Sequence, residues 1–120
     1  MTTPCVLIIE DEPNLAHIFS LVFTAAEYKV DIAADGETAM QILQSTQPDV
    51  VILDLHLPDI SGQTILHNIR QDQRLMETQV VIVTADLILA RSLPEGADII
   101  LIKPLDVNKL KQIALQLRPN

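Results

Sequence analysis

The sequence predicts an α/β fold with a doubly wound parallel sheet and helices on both of its faces. Three observations carry that prediction. Five short apolar runs, rich in Val and Ile, recur along the 120 residues, and such side chains suit a pleated, buried surface. The runs are continuously apolar, where a half-exposed strand would alternate, so both sheet faces are expected to be covered. Helical patterns separate each run from the next, which is the order that parallel βαβ units produce.

The elements follow in turn. Residues 5–9 form the first strand. A helix over residues 14–26 puts Leu15, Ile18, Phe19, Val22 and Phe23 on one face at i, i+3, i+4 spacing. The second strand spans 30–33. The turn pair Asp35-Gly36 then leads into a helix over 37–44 that buries Ala39, Ile42 and Leu43. The third strand, 50–53, runs into Asp54. The turn after it carries Pro58 and Gly62, and a helix over 61–70 presents Ile65, Leu66 and Ile69. The fourth strand is 80–83. A short helix over 87–93 is stopped by Pro94, which cannot donate a helical hydrogen bond. The fifth strand is 99–102, and a last helix over 107–117 carries Leu110, Ile113, Ala114 and Leu117. The order is (βα)5 in one domain, residues 1–120, without internal repeat, low-complexity tract or linker. Short connections and right-handed crossovers point to a three-layer, flavodoxin-like sheet of strand order 2-1-3-4-5.

Composition narrows the class. A chain of this length builds one real core, and a hydrophobic content of 48% argues against disorder. The apolar runs stop well short of the roughly 18 residues that a membrane span needs. Residues 1–4 lack the basic start of a signal peptide, and Glu10, Asp11 and Glu12 interrupt the first apolar run. Cys5 is alone, so no internal disulfide forms, which fits a cytoplasmic protein. The formal net charge of -8 argues against direct nucleic-acid binding, which needs a cationic surface.

Ligands in open parallel sheets bind at the carboxyl ends of the strands. There strand one delivers Glu10 and Asp11, strand three Asp54, strand four Thr84, and strand five Lys103 followed by Pro104. A carboxylate so placed must be paired, bind a cation or react. Three together repel unless a cation sits among them. Hard oxygen donors with room for water suit Mg2+, or Mn2+ in its place. Thr84 offers a hydroxyl, and Lys103 a point charge for a phosphate oxygen. That set is equipment for phosphoryl transfer, where positioning and charge neutralisation supply most of the catalysis. Each residue alone has an ordinary reading: a cap, a solvated acid, a surface lysine. Glu12 is expected to favour the first turn of the first helix through its dipole. His17 and His67 read as polar-face residues, and Cys5 as a small buried hydrophobe. The joint occurrence, one group at each strand end, carries the argument.

At this point the chain resembles the receiver domain of two-component response regulators. The residues that carry the likeness are Ile8 to Pro13, Asp49 to Gly62 around Asp54, Val83-Thr84-Ala85, Gly96-Ala97-Asp98 and Lys103-Pro104. The resemblance implies that Asp54 accepts a phosphoryl group from a histidine kinase or phosphotransfer protein. It implies that Asp11 is a direct Mg2+ ligand, that Glu10 acts through metal-bound water, and that the His56 backbone carbonyl completes the metal shell. Thr84 would move onto the phosphoryl oxygen beside Ala85, Lys103 would pair with the phosphate, and Pro104 would follow a cis bond. Phosphorylation would then shift helix 4, strand 5 and helix 5, the surface read by a downstream effector domain or protein. The implied chemistry is slow self-catalysed phosphorylation and hydrolysis, without metabolic turnover.

Several positions depart from the family pattern. Ile100 stands where a rotating Tyr or Phe is usual, and it cannot carry a phenol between buried and exposed states. The segment from Thr84 to Gly96 is about one helical turn short. Glu27 sits where a Gly often ends the first helix, and a left-handed conformation is expected there. Ile113 and Leu115 replace basic residues of a common dimer interface, so that dimer is not expected. His56 and Asp86 lie where a side chain can steer the hydrolytic water, or they are plain solvated groups. Two other functions compete. A pseudo-receiver would keep the site only as part of a protein-binding module. A Mg2+-dependent phosphohydrolase would need a second acid two residues after the nucleophile, where this chain has His56.

Overall fold

The computed structural model describes residues 3–92 and 96–119. Its elements are β1 (Cys5–Ile9), α1 (Pro13–Ala25), β2 (Lys29–Ala33), α2 (Gly36–Ser45), β3 (Val50–Asp54), α3 (Gly62–Gln71), β4 (Gln79–Thr84), α4 (Leu87–Ser92), β5 (Ile99–Ile102) and α5 (Val107–Gln116). A 3₁₀ turn at Gln73–Leu75, unforeseen in the sequence, precedes β4. All neighbouring strands pair in parallel, in the order β2-β1-β3-β4-β5. The sequence-predicted fold class is the observed one. Pro94, the expected stop of α4, lies outside the described residues.

Alternation along the central strands divides the core into two halves. Val50 and Ile52 of β3 face Phe19 and Phe23 of α1 and Leu110 and Ile113 of α5. Val51 and Leu53 face Leu43 of α2 and Ile65, Leu66 and Ile69 of α3. The helices begin where side-chain oxygens satisfy free backbone N–H groups. The Glu12 carboxylate accepts from the Asn14 and Leu15 amides, Asp35 from Thr38, Ser61 from Thr64, and Asp106 from Asn108 and Lys109. Glu12 is thus a cap, as its place before Pro13 suggested.

Three expectations need correction. Ile18 is 38% exposed while Ala16 is buried. At 3.6 residues per turn Ile18 sits about 100° round from Phe19, at the edge of the apolar stripe. The double covering of the sheet holds for β1, β3 and β4 but fails at the edges. Ile32 of β2 is exposed, as are Ile100 and Ile102 of β5; β2 and β5 are the two edges of the sheet, and the six-residue α4 that follows β4 has no buried residue of its own. Cys5 is half-buried, its thiol 3.9 Å from the Thr3 carbonyl, because β1 begins at the rim of the core. Glu27 does hold a left-handed backbone, with φ 69°. Beside it the buried Tyr28 donates its hydroxyl to the Ala114 carbonyl at 2.7 Å, tying α5 to the foot of β2.

Candidate functional site

Sheet register brings the rim together. Ile9 lies opposite Leu53, so Glu10 and Asp54 leave neighbouring strands at one level. The ladder continues past the strands: Glu10 N–H donates to Ala33 O at 3.0 Å, and Lys103 N–H to Thr84 O at 2.9 Å. One carboxylate oxygen from each of Glu10, Asp11 and Asp54 lies within 4.8 Å of the others. Lys103 Nζ is 3.4 Å from Asp54 Oδ2 and 3.9 Å from Glu10 Oε1. Residues separated by 93 positions of sequence thus meet because four adjacent strands end together.

The electrostatics of this cluster are unbalanced. Glu10 and Asp54 are buried, while Asp11 is exposed. Glu10 Oε2 accepts the Glu12 amide at 3.2 Å, but among the described residues its buried Oε1 has no hydrogen-bond partner. Burial, and then the adjacent Asp54 carboxyl, push Glu10 up to about 8. A buried acceptor left unmatched costs about 1–3 kcal/mol. An orphaned oxygen among clustered carboxylates, one of them open to solvent, is the donor set that a hard, partly hydrated divalent cation satisfies. Mg2+ or Mn2+ fits these residues.

The remaining sequence-predicted residues take distinct places. Asp54 Oδ1 accepts the His56 amide at 2.9 Å, while the His56 side chain is exposed. Thr84 is buried at the end of β4, and its Oγ1 accepts the Asp86 amide at 3.0 Å. Asp86 in turn caps α4, its Oδ1 accepting from Leu89 at 2.9 Å. Ala85 is exposed beside the rim. The Lys103-Pro104 peptide is cis, as expected. His17 and His67 are exposed on helix surfaces. Two residues of the resembling motifs are structural: the Asp49 carboxylate accepts the Cys5 amide, and Asp98 joins Arg70 to the Val80 amide.

Sequence reasoning missed Asp59. Its carboxylate accepts N–H groups from Gly36 and Glu37 at the start of α2, and only the fold shows that pairing. Gly62 was read as a turn residue. In the structure a Cβ there would lie 2.7 Å from Leu55 Cα and 2.8 Å from Asp54 O, so the glycine lets α3 approach the backbone of β3.

A five-stranded parallel sheet whose carboxyl rim gathers three acids and a lysine defines a class, the receiver module of two-component signalling. The family model "Response regulator receiver domain" matches residues 6–115, and the chain belongs to that family. It is 39% identical over 108 residues to the response regulator ArlR of Staphylococcus aureus (strain MW2) and 37% identical to that of Staphylococcus haemolyticus. Both alignments cover 88% of this chain and 48% of the relative, so the chain spans about half the length of these curated relatives. Among solved structures it is similar to a putative response regulator from Chloroflexus aurantiacus, with TM-score 0.88 and 29% identity over 97% of this chain and 98% of that one. TrrA from Thermotoga maritima, solved in complex with Mg(2+)-BeF, gives TM-score 0.85 and 28% identity over 96% and 99% of the two chains. No helix among the described residues is long and apolar enough to cross a membrane.

Proposed function

We propose that this domain is the phosphoacceptor of a His-Asp signalling pathway and that Asp54 carries the phosphoryl group. An Asp54 carboxylate oxygen would bond to phosphorus as the bond from phosphorus to a histidine nitrogen of the kinase or phosphotransfer protein breaks. Glu10, Asp11, Asp54 and the His56 carbonyl would hold Mg2+. When bound, the ion neutralises the phosphoryl oxygens and the clustered carboxylates. Lys103, already 3.4 Å from Asp54, would pair with a phosphoryl oxygen. Thr84 would give up the Asp86 amide and turn toward the phosphoryl group. That movement would release the start of α4 and alter the surface made by α4, β5 and α5, which an effector domain or protein reads. Turnover would be limited to slow self-dephosphorylation, with no metabolic substrate. His56 and Asp86 would tune its rate, and unchanged dephosphorylation in His56→Ala and Asp86→Ala would remove that part.

The observation that supports this reading most is the orphaned Glu10 Oε1 beside Asp11, Asp54 and Lys103. A second reading draws on Ile100 and on α4, which buries no side chain. A pseudo-receiver would keep the site but lack the coupling. Incubation with a small phosphodonor and Mg2+ separates the two. A gain of one acid-labile phosphoryl group by mass, absent in Asp54→Asn, supports the switch. No gain supports the pseudo-receiver, and rapid multiple turnover of phosphate esters would mean a hydrolase.

A further inference from the structure

The segment between β3 and α3 is anchored at both its base and its tip. At the base, the His56 amide donates to Asp54 Oδ1 at 2.9 Å and the Gly62 amide to Leu55 O at 3.3 Å. At the tip, Asp59 reaches across to α2. Its Oδ1 accepts from Gly36 N at 2.8 Å and its Oδ2 from Glu37 N at 2.9 Å, two successive amides of the first turn. Oδ1 also takes the Ile60 amide at 2.8 Å, which locks the carboxylate to its own loop. Packing gives the same pairing independently. A Cβ on Gly36 would stand 2.7 Å from Ile60 Cβ and 3.1 Å from Asp59 Oδ1, so the loop lies flush on a position that only glycine leaves open. The start of α2 has its own cap in Asp35, which takes the Thr38 amide. Asp59 therefore serves to join loop to helix rather than to supply a missing cap.

We propose that Asp59 is a positioning residue for the metal site, pinning residues 55–61 to α2 so that the backbone at His56 is held against Asp54. The inference rests on the reading of Asp54 as a Mg2+-dependent phosphoacceptor. The backbone N–H donors that hold the Asp59 carboxyl below the usual carboxylate range, Gly36 first, keep the contact ionic at neutral pH. A negative charge there also suits the positive end of the α2 dipole. Without the tip anchor, the loop would sample positions in which the His56 peptide no longer meets Asp54. Cation binding would then have to restore that order at a cost in affinity.

Calorimetric Mg2+ titration of the wild type, Asp59→Ala and Asp59→Asn tests this, together with amide exchange at Gly36, Glu37 and His56. Asp59→Ala is expected to weaken Mg2+ binding about fivefold and to speed exchange at all three amides. Asp59→Asn keeps one carbonyl acceptor and should recover part of both. Asp72→Ala, which removes a carboxylate that pairs with Arg74 away from the loop, should bind Mg2+ as the wild type does. Wild-type affinity in Asp59→Ala, with exchange at Gly36 and Glu37 accelerated, would overturn the positioning role and leave the site intact. Failure of the wild type itself to bind Mg2+ would overturn the site reading and this inference with it.

Discussion

Among the described residues, Glu10 shows the largest shift from its ordinary titration range. Its carboxyl titrates at about 8 in the folded chain, against an ordinary value of 4.5. Between those values the folded state holds a proton that the unfolded state has lost. Stability from this group is therefore full below pH 4.5 and declines as pH rises toward about 8. In metal-free buffer the melting temperature should fall across that window, and Glu10→Gln should flatten the fall; an equal slope in both proteins would refute it. Mg2+ binding should release a proton near neutral pH, read as a buffer-dependent binding heat. At Gly62 the pressure is steric. Gly62→Ala drives a Cβ into Leu55 Cα and Asp54 O, so it should cost about 1–3 kcal/mol in chemical denaturation and slow phosphorylation as well. Asp54, Glu10, Asp11 and Lys103 were legible because each ends a recognisable apolar run. Asp59 was not, because its role depends on a partner helix that no local pattern names.

Among the elements, α4 differs from the rest. It is six residues long, none of them buried, with Ile88 82% exposed. Native-state amide exchange should find α4 among the least protected helices and β3, whose five residues are all buried, among the most protected strands. Comparable protection in the two would contradict that ranking. The junction between α5 and β2 depends on Tyr28, whose hydroxyl satisfies the Ala114 carbonyl. Tyr28→Phe should lower stability by about 1–2 kcal/mol without changing Mg2+ affinity. Most boundaries were readable to within a residue because caps and apolar runs mark them. The exposed faces of β2 and β5 were not. In β5 continuous apolarity reports what a strand can bury, while covering depends on the length and placement of a helix elsewhere in the chain; in β2 Asp31 already interrupts the run.

Taken whole, the molecule puts its chemistry where topology dictates. Strand order 2-1-3-4-5 places β1 beside β3 and β4 beside β5, so acids and lysine converge at one rim without any local signal that they should. That order was inferable from the number of βα units and the rules of handedness. The distances were not, since they come from register and from burial of Glu10. The central claim is that these strand ends form one cation site beside Asp54. Amide NMR during Mg2+ titration tests it most directly. The account predicts saturable shifts centred on residues 10–12 and 54–56, strongly weakened in Asp11→Asn. Shifts that never saturate, or that map away from this rim, would contradict it.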